Sequence, residues 1–262
     1  MTKFISIANQ KGGVGKTTTA LNLATALSMN GYKVLTVDLD IQANLSYYLG
    51  FEDGKNNYTI GDLMYNVSQG EDISKEDFKS CVYHSDINNI DYIPSNIDLA
   101  NAEYYLMTSI SRETVLKRAL YDYVNDYDYI IIDCLPSLGT MFINALVVSD
   151  SIIIPVQTHQ FALLGLDSLE KVINQTKKTL NSKLEILGIL PTMVDNTNIS
   201  KEIQEKLLDR YNQKVFSTYI RRSVEAVKST KNKASLCLTK NILGDEYRNL
   251  ALEVIKRSEK QC

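Results

Sequence analysis

Cysteine, histidine and proline are all scarce in this 262-residue sequence, and each scarcity removes a class of explanation. The four cysteines, Cys81, Cys134, Cys237 and Cys262, lie far apart with no C-x-x-C pair. No zinc or iron–sulfur ligand set is therefore predicted, and a reducing cytoplasm is the expected compartment. The two histidines, His84 and His159, are isolated, and no His, Cys or Ser falls in a pattern that would make it a covalent nucleophile. With four prolines, no low-complexity run, no repeat and no Gly/Ser/Pro-rich linker, neither disorder nor a division of the chain is expected, and residues 1–262 read as one domain. No apolar run approaches the ~18 residues of a membrane span. The opening MTKFISIANQKGG leads directly into a strand and a glycine loop, leaving no room for a signal peptide.

Charge is small in total and uneven in place. The net charge is −3, yet residues 62–104 hold nine acids against two lysines, and residues 200–233 hold nine Lys or Arg against four acids. One region should repel polyanions and the other attract them.

What is present is alternation. Short β-branched runs at 4–9, 33–40, 90–95, 127–134, 150–157 and 184–194, with a weaker one at 214–220, read as strands. Between them TTTALNLATALSMNG and segments near 97–124, 139–148, 165–180, 199–212 and 243–260 have helical composition. Most strand runs are too apolar to be half-exposed. An α/β fold is predicted, doubly wound, with a mainly parallel sheet and helices on both faces. Residues 51–89, polar and rich in Asn, Asp and Gly, read as a surface insertion of short helices.

The chemistry concentrates in QKGGVGKTT. A strand feeds this loop and a helix leaves it, the arrangement in which backbone N–H groups and a helix N-terminus converge on a phosphate. Gly12, Gly13, Val14 and Gly15 would let the backbone wrap the anion. Lys16 would reach the β- and γ-phosphates, and Thr17, followed by Thr18, would offer a hydroxyl to Mg²⁺. In TVDLD, period-two alternation puts Asp38 and Asp40 on one face at the carboxyl end of a strand. Asp133 ends YDYIIID, the sequence type of a carboxylate that holds Mg²⁺, usually through water. A triphosphate with Mg²⁺, and phosphoryl transfer, are the expected ligand and reaction.

One residue does not fit a standard phosphate loop: a second lysine, Lys11, where Gln10 also replaces the usual first glycine. KGGVGKTT resembles the deviant Walker A motif of the ParA/MinD group of P-loop ATPases. The likeness continues through VDLDIQANLSYYLG, IIIDCLPSLG, IIIPVQTHQFALLGLDSL and GILPTMVDNTNIS, and is greatest to the short ParA (Soj-like) DNA-segregation ATPases. The resemblance implies that Lys11 reaches across an ATP-loaded sandwich homodimer to the partner's phosphates, and that Asp40 positions the attacking water. It further implies that Asp38 and Asp133 support the Mg²⁺ shell, and that bulk at Gly12 would block dimer closure. Hydrolysis of ATP would be slow without a partner, a ParB-like centromere-binding protein. Ile41, Leu135 and THQF depart from residues common in the family, which touches the partner-responsive surface rather than the phosphate chemistry.

In STYIRRSVEAVKSTKNKA, the cations Arg221, Arg222, Lys228, Lys231 and Lys233 face one acid, Glu225. No base-reading motif accompanies them, so non-specific, salt-sensitive DNA binding and a nucleoid-associated protein are expected. The carboxyl-terminal EYRNLALEVIKRSEKQC reads as a core-facing helix with a charged tail, and no stable membrane anchor is expected. Longer relatives carry an N-terminal helix-turn-helix; none is expected here. Two alternatives stay open: a MinD-like or other positioning ATPase acting on a protein or membrane, and a P-loop kinase or ligase.

Overall fold

The computed structural model describes residues 1–54, 57–160, 162–226, 229 and 232–259. Among these, seven strands form one sheet: β1 (Lys3–Ile7), β2 (Val34–Leu39), β3 (Tyr83–Ser85), β4 (Ile90–Ile93), β5 (Tyr129–Cys134), β6 (Ser151–Gln157) and β7 (Glu185–Thr192). Their order is β3-β4-β2-β5-β1-β6-β7, and all pair in parallel except β3, which lies antiparallel to β4.

The strands serve two cores because their side chains alternate. In β5, Ile130, Ile132 and Cys134 enter one cluster, and Tyr129 and Ile131 the other. The first cluster is covered by α3 (Ile60–Ser68), α4 (Lys75–Ser80), α5 (Ala102–Thr108), α6 (Val115–Leu120), α7 (Thr140–Val148), α8 (Leu166–Thr179) and α9 (Asn198–Tyr211). The second is covered by α1 (Lys16–Met29), α2 (Asn44–Leu49) and α10 (Ile242–Glu259). The chain thus leaves β1 on one face, through α1, and leaves the neighbouring β5 on the other, through α7. This reversal opens a crevice at the carboxyl ends of β1 and β5, where α/β sheets bind ligands.

Three expectations need correction. Residues 51–89 are not a surface insertion: Ile60, Leu63, Met64, Val67, Ile73, Phe78 and Cys81 are buried in the first core, and β3 forms the sheet's edge. Residues 97–124 are not one helix; the segment breaks into α5 and α6 around Ser109, which is extended, and Ser111, at φ 53. Asn144 fixes the restart, accepting from Leu116 N and donating to Arg112 O.

Residues 214–220 are not a strand. They run beside β7 through isolated bridges, Ile189 with Val215 and Val194 with Arg221, and through two backbone bonds, Phe216 N to Ile189 O and Ile220 N to Pro191 O, both 2.9 Å. Helix α10 diverts them: the Glu253 carboxylate accepts Ser217 N and Thr218 N, at 3.0 and 3.1 Å, and Glu246 accepts Arg221 N at 2.9 Å. These N–H groups, which do not bond β7, are satisfied by side chains of α10. Among the described residues no helix is long and apolar enough to cross a membrane. Cys81, Cys134 and Cys237 are buried thiols, and Cys262 lies outside the described residues.

Candidate functional site

The loop between β1 and α1 is bent by two glycines in the left-handed region, Gly13 at φ 70 and Gly15 at φ 88, where a side chain would strain the backbone. It is anchored from behind. Asn9 donates through Nδ2 to Pro155 O at 2.8 Å and accepts Lys11 N at 3.0 Å, while the Thr192 hydroxyl donates to Val14 O at 2.9 Å. Strands β6 and β7 therefore hold the loop that β1 launches. Gln10, in place of the usual glycine, packs against Gly165 at the start of α8, where φ 90 disfavours a side chain.

The two lysines part company. Lys16 opens α1, is 6% exposed, and its Nζ reaches Lys11 O at 3.3 Å. Lys11 is half-buried on the rim, beside exposed Gly12 and Gly13. A Cβ at Gly12 would meet nothing within 4 Å among the described residues. Thr17 and Thr18 follow in the first turn of α1, both half-buried.

Opposite the loop stand the carboxylates. Asp38 and Asp133 are partners in register on β2 and β5, and both are 1% exposed. Asp38 is well supplied with donors: Oδ1 accepts Asp40 N at 3.0 Å, and Oδ2 accepts Ser46 N at 2.9 Å and Ser46 Oγ at 2.7 Å. Burial still outweighs those bonds, and the Asp38 carboxyl is pushed up to about 6. Asp133 has no such support, because neither carboxylate oxygen makes a hydrogen bond of ordinary geometry. Burial first, then the charge of Asp38, raise its pKa well above the usual range, against smaller opposing effects of the Thr17 hydroxyl and the Lys16 ammonium. Asp40 lies one residue past the end of β2, where its carbonyl accepts Ala43 N in a turn. Its Oδ1 accepts Gln42 N at 3.0 Å, and its charge also reaches Asp38 and Asp133.

A buried carboxylate with two orphaned oxygens, next to a threonine hydroxyl and a lysine, fits a hydrated divalent cation together with phosphate oxygens. Among the described residues no group of three or more His, Cys, Asp or Glu forms a ligand cage. The donor set suits Mg²⁺ held largely through water and phosphate. The structure thus gathers Lys16, Thr17, Asp38, Asp40 and Asp133 around one crevice, with Lys11 and Gly12 on its rim. Asn9, Ser46 and Thr192 escaped the sequence reading, since each acts through a partner distant in sequence.

The three basic candidates among the described residues have separate surroundings. Arg221 is paired through Nε with Glu246 Oε1 at 3.0 Å and lies 5.7 Å over the Tyr219 ring. Arg222 is exposed; hydrogen bonds from Thr197 are the main cause of the lowered Asp195 pKa, and the charge of Arg222 adds a smaller effect. Lys233 lies over the Tyr47 ring on α2 and is 3.9 Å from Glu52. Lys228 and Lys231 lie outside the described residues.

Residues 2–186 match a family model described as an AAA domain. The sequence is 44% identical over 225 residues, 86% of each chain, to the sporulation initiation inhibitor protein Soj of Bacillus subtilis. It is 38% identical over 226 residues to the chromosome-partitioning ATPase Soj of Treponema pallidum, covering 86% of this chain and 85% of that one. Among solved structures, one described as cobyrinic acid a,c-diamide synthase from Mycobacterium smegmatis, with bound ADP and magnesium, superimposes with a TM-score of 0.83. It is 32% identical, and the match covers 100% of this chain and 97% of that one.

Proposed function

The chain belongs to the ParA/MinD family of P-loop ATPases and is a ParA-type ATPase; from that premise we propose that it drives the partitioning of a plasmid, phage or chromosome. In this reading it binds Mg²⁺-ATP, closes into a sandwich homodimer, binds DNA non-specifically in that state, and releases it after hydrolysis stimulated by a ParB-like partner.

The observation that carries the reading is the division between the two lysines. Lys16 is turned into its own loop, where it would meet the β- and γ-phosphates, while Lys11 stands on an open rim beside a glycine with nothing above it. A second subunit could approach there, and Lys11 would then complete the charge balance of its neighbour's site. Thr17 and Asp133 would hold the metal, with Asp38 behind them. Mg²⁺ in that position supplies charge neutralisation for the phosphates. Asp40, on its turn at the mouth of the crevice, would orient the water. Orientation without a strong base gives slow turnover, which leaves the rate to a partner.

The test is binding of a random-sequence duplex with ADP and then with ATP, using Asp40→Ala to suppress hydrolysis and a salt titration as control. Binding with ATP alone, weakening steeply with salt, is expected. Absence of binding in both states would instead favour a positioning ATPase directed at a protein or membrane. The Mycobacterium smegmatis structure motivates a second reading, an ATP-dependent ligase. Such an enzyme has no need of Lys11 for association, so Lys11→Ala would leave its oligomeric state unchanged.

A further inference from the structure

We propose that Ser46 is a positioning residue for hydrolysis, which fixes Asp38 and, through Asp38, the turn that presents Asp40. The inference rests on the reading of Asp40 as the acid that orients the attacking water.

Asp38 grips both ends of a short loop. Its Oδ1 accepts the N–H of Asp40, and its Oδ2 accepts both the N–H and the hydroxyl of Ser46, in the first turn of α2. Residues 39–45 are thereby closed upon the carboxylate that precedes them. Inside the loop, Asp40 accepts Gln42 N through Oδ1 and Ala43 N, at 2.9 Å, through its carbonyl. Ala43 takes φ 50, a conformation that residues with a Cβ adopt only where their surroundings impose it.

Ser46 is the imposing group. Its hydroxyl uses its one proton on Asp38 Oδ2 and accepts Ser95 N, just beyond β4, at 2.8 Å. Ser46 and Ser95 are both buried, at 1% and 0% exposure. Loss of the hydroxyl would leave Ser95 N without its acceptor and Asp38 Oδ2 with a single donor, both away from water. The contrast with Asp133 is informative: of two carboxylates paired in register, one has free oxygens and the other has been committed to holding backbone. Asp38 therefore shapes the site through the loop it closes, with Ser46 as the pin.

The experiment is a comparison of ATP turnover in the full chain for Ser46→Ala, Ser46→Thr, Asp40→Ala and the Ser46→Ala/Asp40→Ala double variant. Binding of a fluorescent ADP with Mg²⁺ is measured in parallel. Ser46→Ala should lower kcat roughly 10- to 100-fold with KM for ATP and ADP affinity within about threefold, because the misplaced group acts on water rather than on phosphate. Ser46→Thr should recover most of the rate. The double variant should be no slower than Asp40→Ala, since Ser46 acts through Asp40. Unchanged kcat in Ser46→Ala, a threonine variant as slow as alanine, or effects that multiply in the double variant would each overturn the proposal. Should the alanine variant not fold, Ser46→Cys, with its weaker donor, must be intermediate in kcat, and wild-type turnover there overturns the idea equally. Wild-type turnover by Asp40→Ala would sink the role given to Asp40 and this inference with it. An inactive Asp40→Ala beside an unimpaired Ser46→Ala sinks this inference alone.

Discussion

Replacing Asp133 by asparagine should stabilise the protein when nucleotide and Mg²⁺ are absent. The carboxylate is buried with both oxygens unpaired and with Asp38 beside it in register. A buried polar group left unsatisfied costs about 1–3 kcal/mol, and a charged one more. The amide keeps a neutral deficit in place of a charged one, so a net gain of about 1–2 kcal/mol is expected, or roughly 2–4 °C in Tm for a chain of this size. The pH dependence gives the sharper check. Because the folded-state pKa is raised, the unfolded chain gives up this proton at lower pH than the folded one. Wild-type stability therefore falls as pH rises from about 4 through the folded pKa, and the variant escapes that loss. Calorimetry should find little difference near pH 4 and an advantage that grows as pH rises toward the folded pKa. With saturating Mg²⁺-ATP the order should reverse, since ligand at 100 times its Kd stabilises the wild type by about 2.7 kcal/mol and the variant gains less. An asparagine variant less stable than wild type at pH 7.5, or equally favoured at pH 4 and 7.5, would refute the reasoning.

Other consequences are simpler to measure. Lys16→Ala should abolish ATP turnover; normal rates in that variant would remove the phosphate-loop assignment. Lys11→Ala should bind nucleotide within about threefold of wild type yet fail to associate on adding ATP, as read by sedimentation. Arg222→Glu should weaken duplex binding about tenfold and reduce the salt slope by about 1–2, whereas Arg221→Ala, whose guanidinium is held by Glu246, should act more on Tm than on DNA.

Legibility in the sequence followed the range of the interactions. Strands β1, β2, β5 and β6 were readable because residues buried on both faces leave a dense local run of Ile, Val and Leu, and the phosphate loop because its glycines and lysine are contiguous. Edge strand β3, reading YHS, has no such run, and its existence depends on pairing with β4. The short helices of residues 51–89 were readable, but their burial was hidden by polar neighbours on their outer faces. Ser46 lies eight residues from Asp38, a spacing that means nothing until α2 folds back. Residues 214–220 have strand composition, yet their pairing with β7 stays at isolated bridges, and the carboxylates of Glu246 and Glu253, some 25 to 36 positions further on, take the N–H groups of Ser217, Thr218 and Arg221.

Those two carboxylates also bear on how copies of the chain can meet. A sheet edge with a full row of free N–H and C=O groups is a template onto which another molecule can add a strand. Here the segment beside β7 has Ser217, Thr218 and Arg221 already donating to α10, with the Arg257 guanidinium on the carbonyls of Leu187 and Val215. The opposite edge, β3, is three residues long. Neither margin offers a continuous ladder, so growth of a shared sheet from one molecule to the next is closed off. In the proposed reading, copies would associate through side chains and loops, and the crevice at the carboxyl ends of β1 and β5 would be the surface where a bound ligand makes that contact conditional.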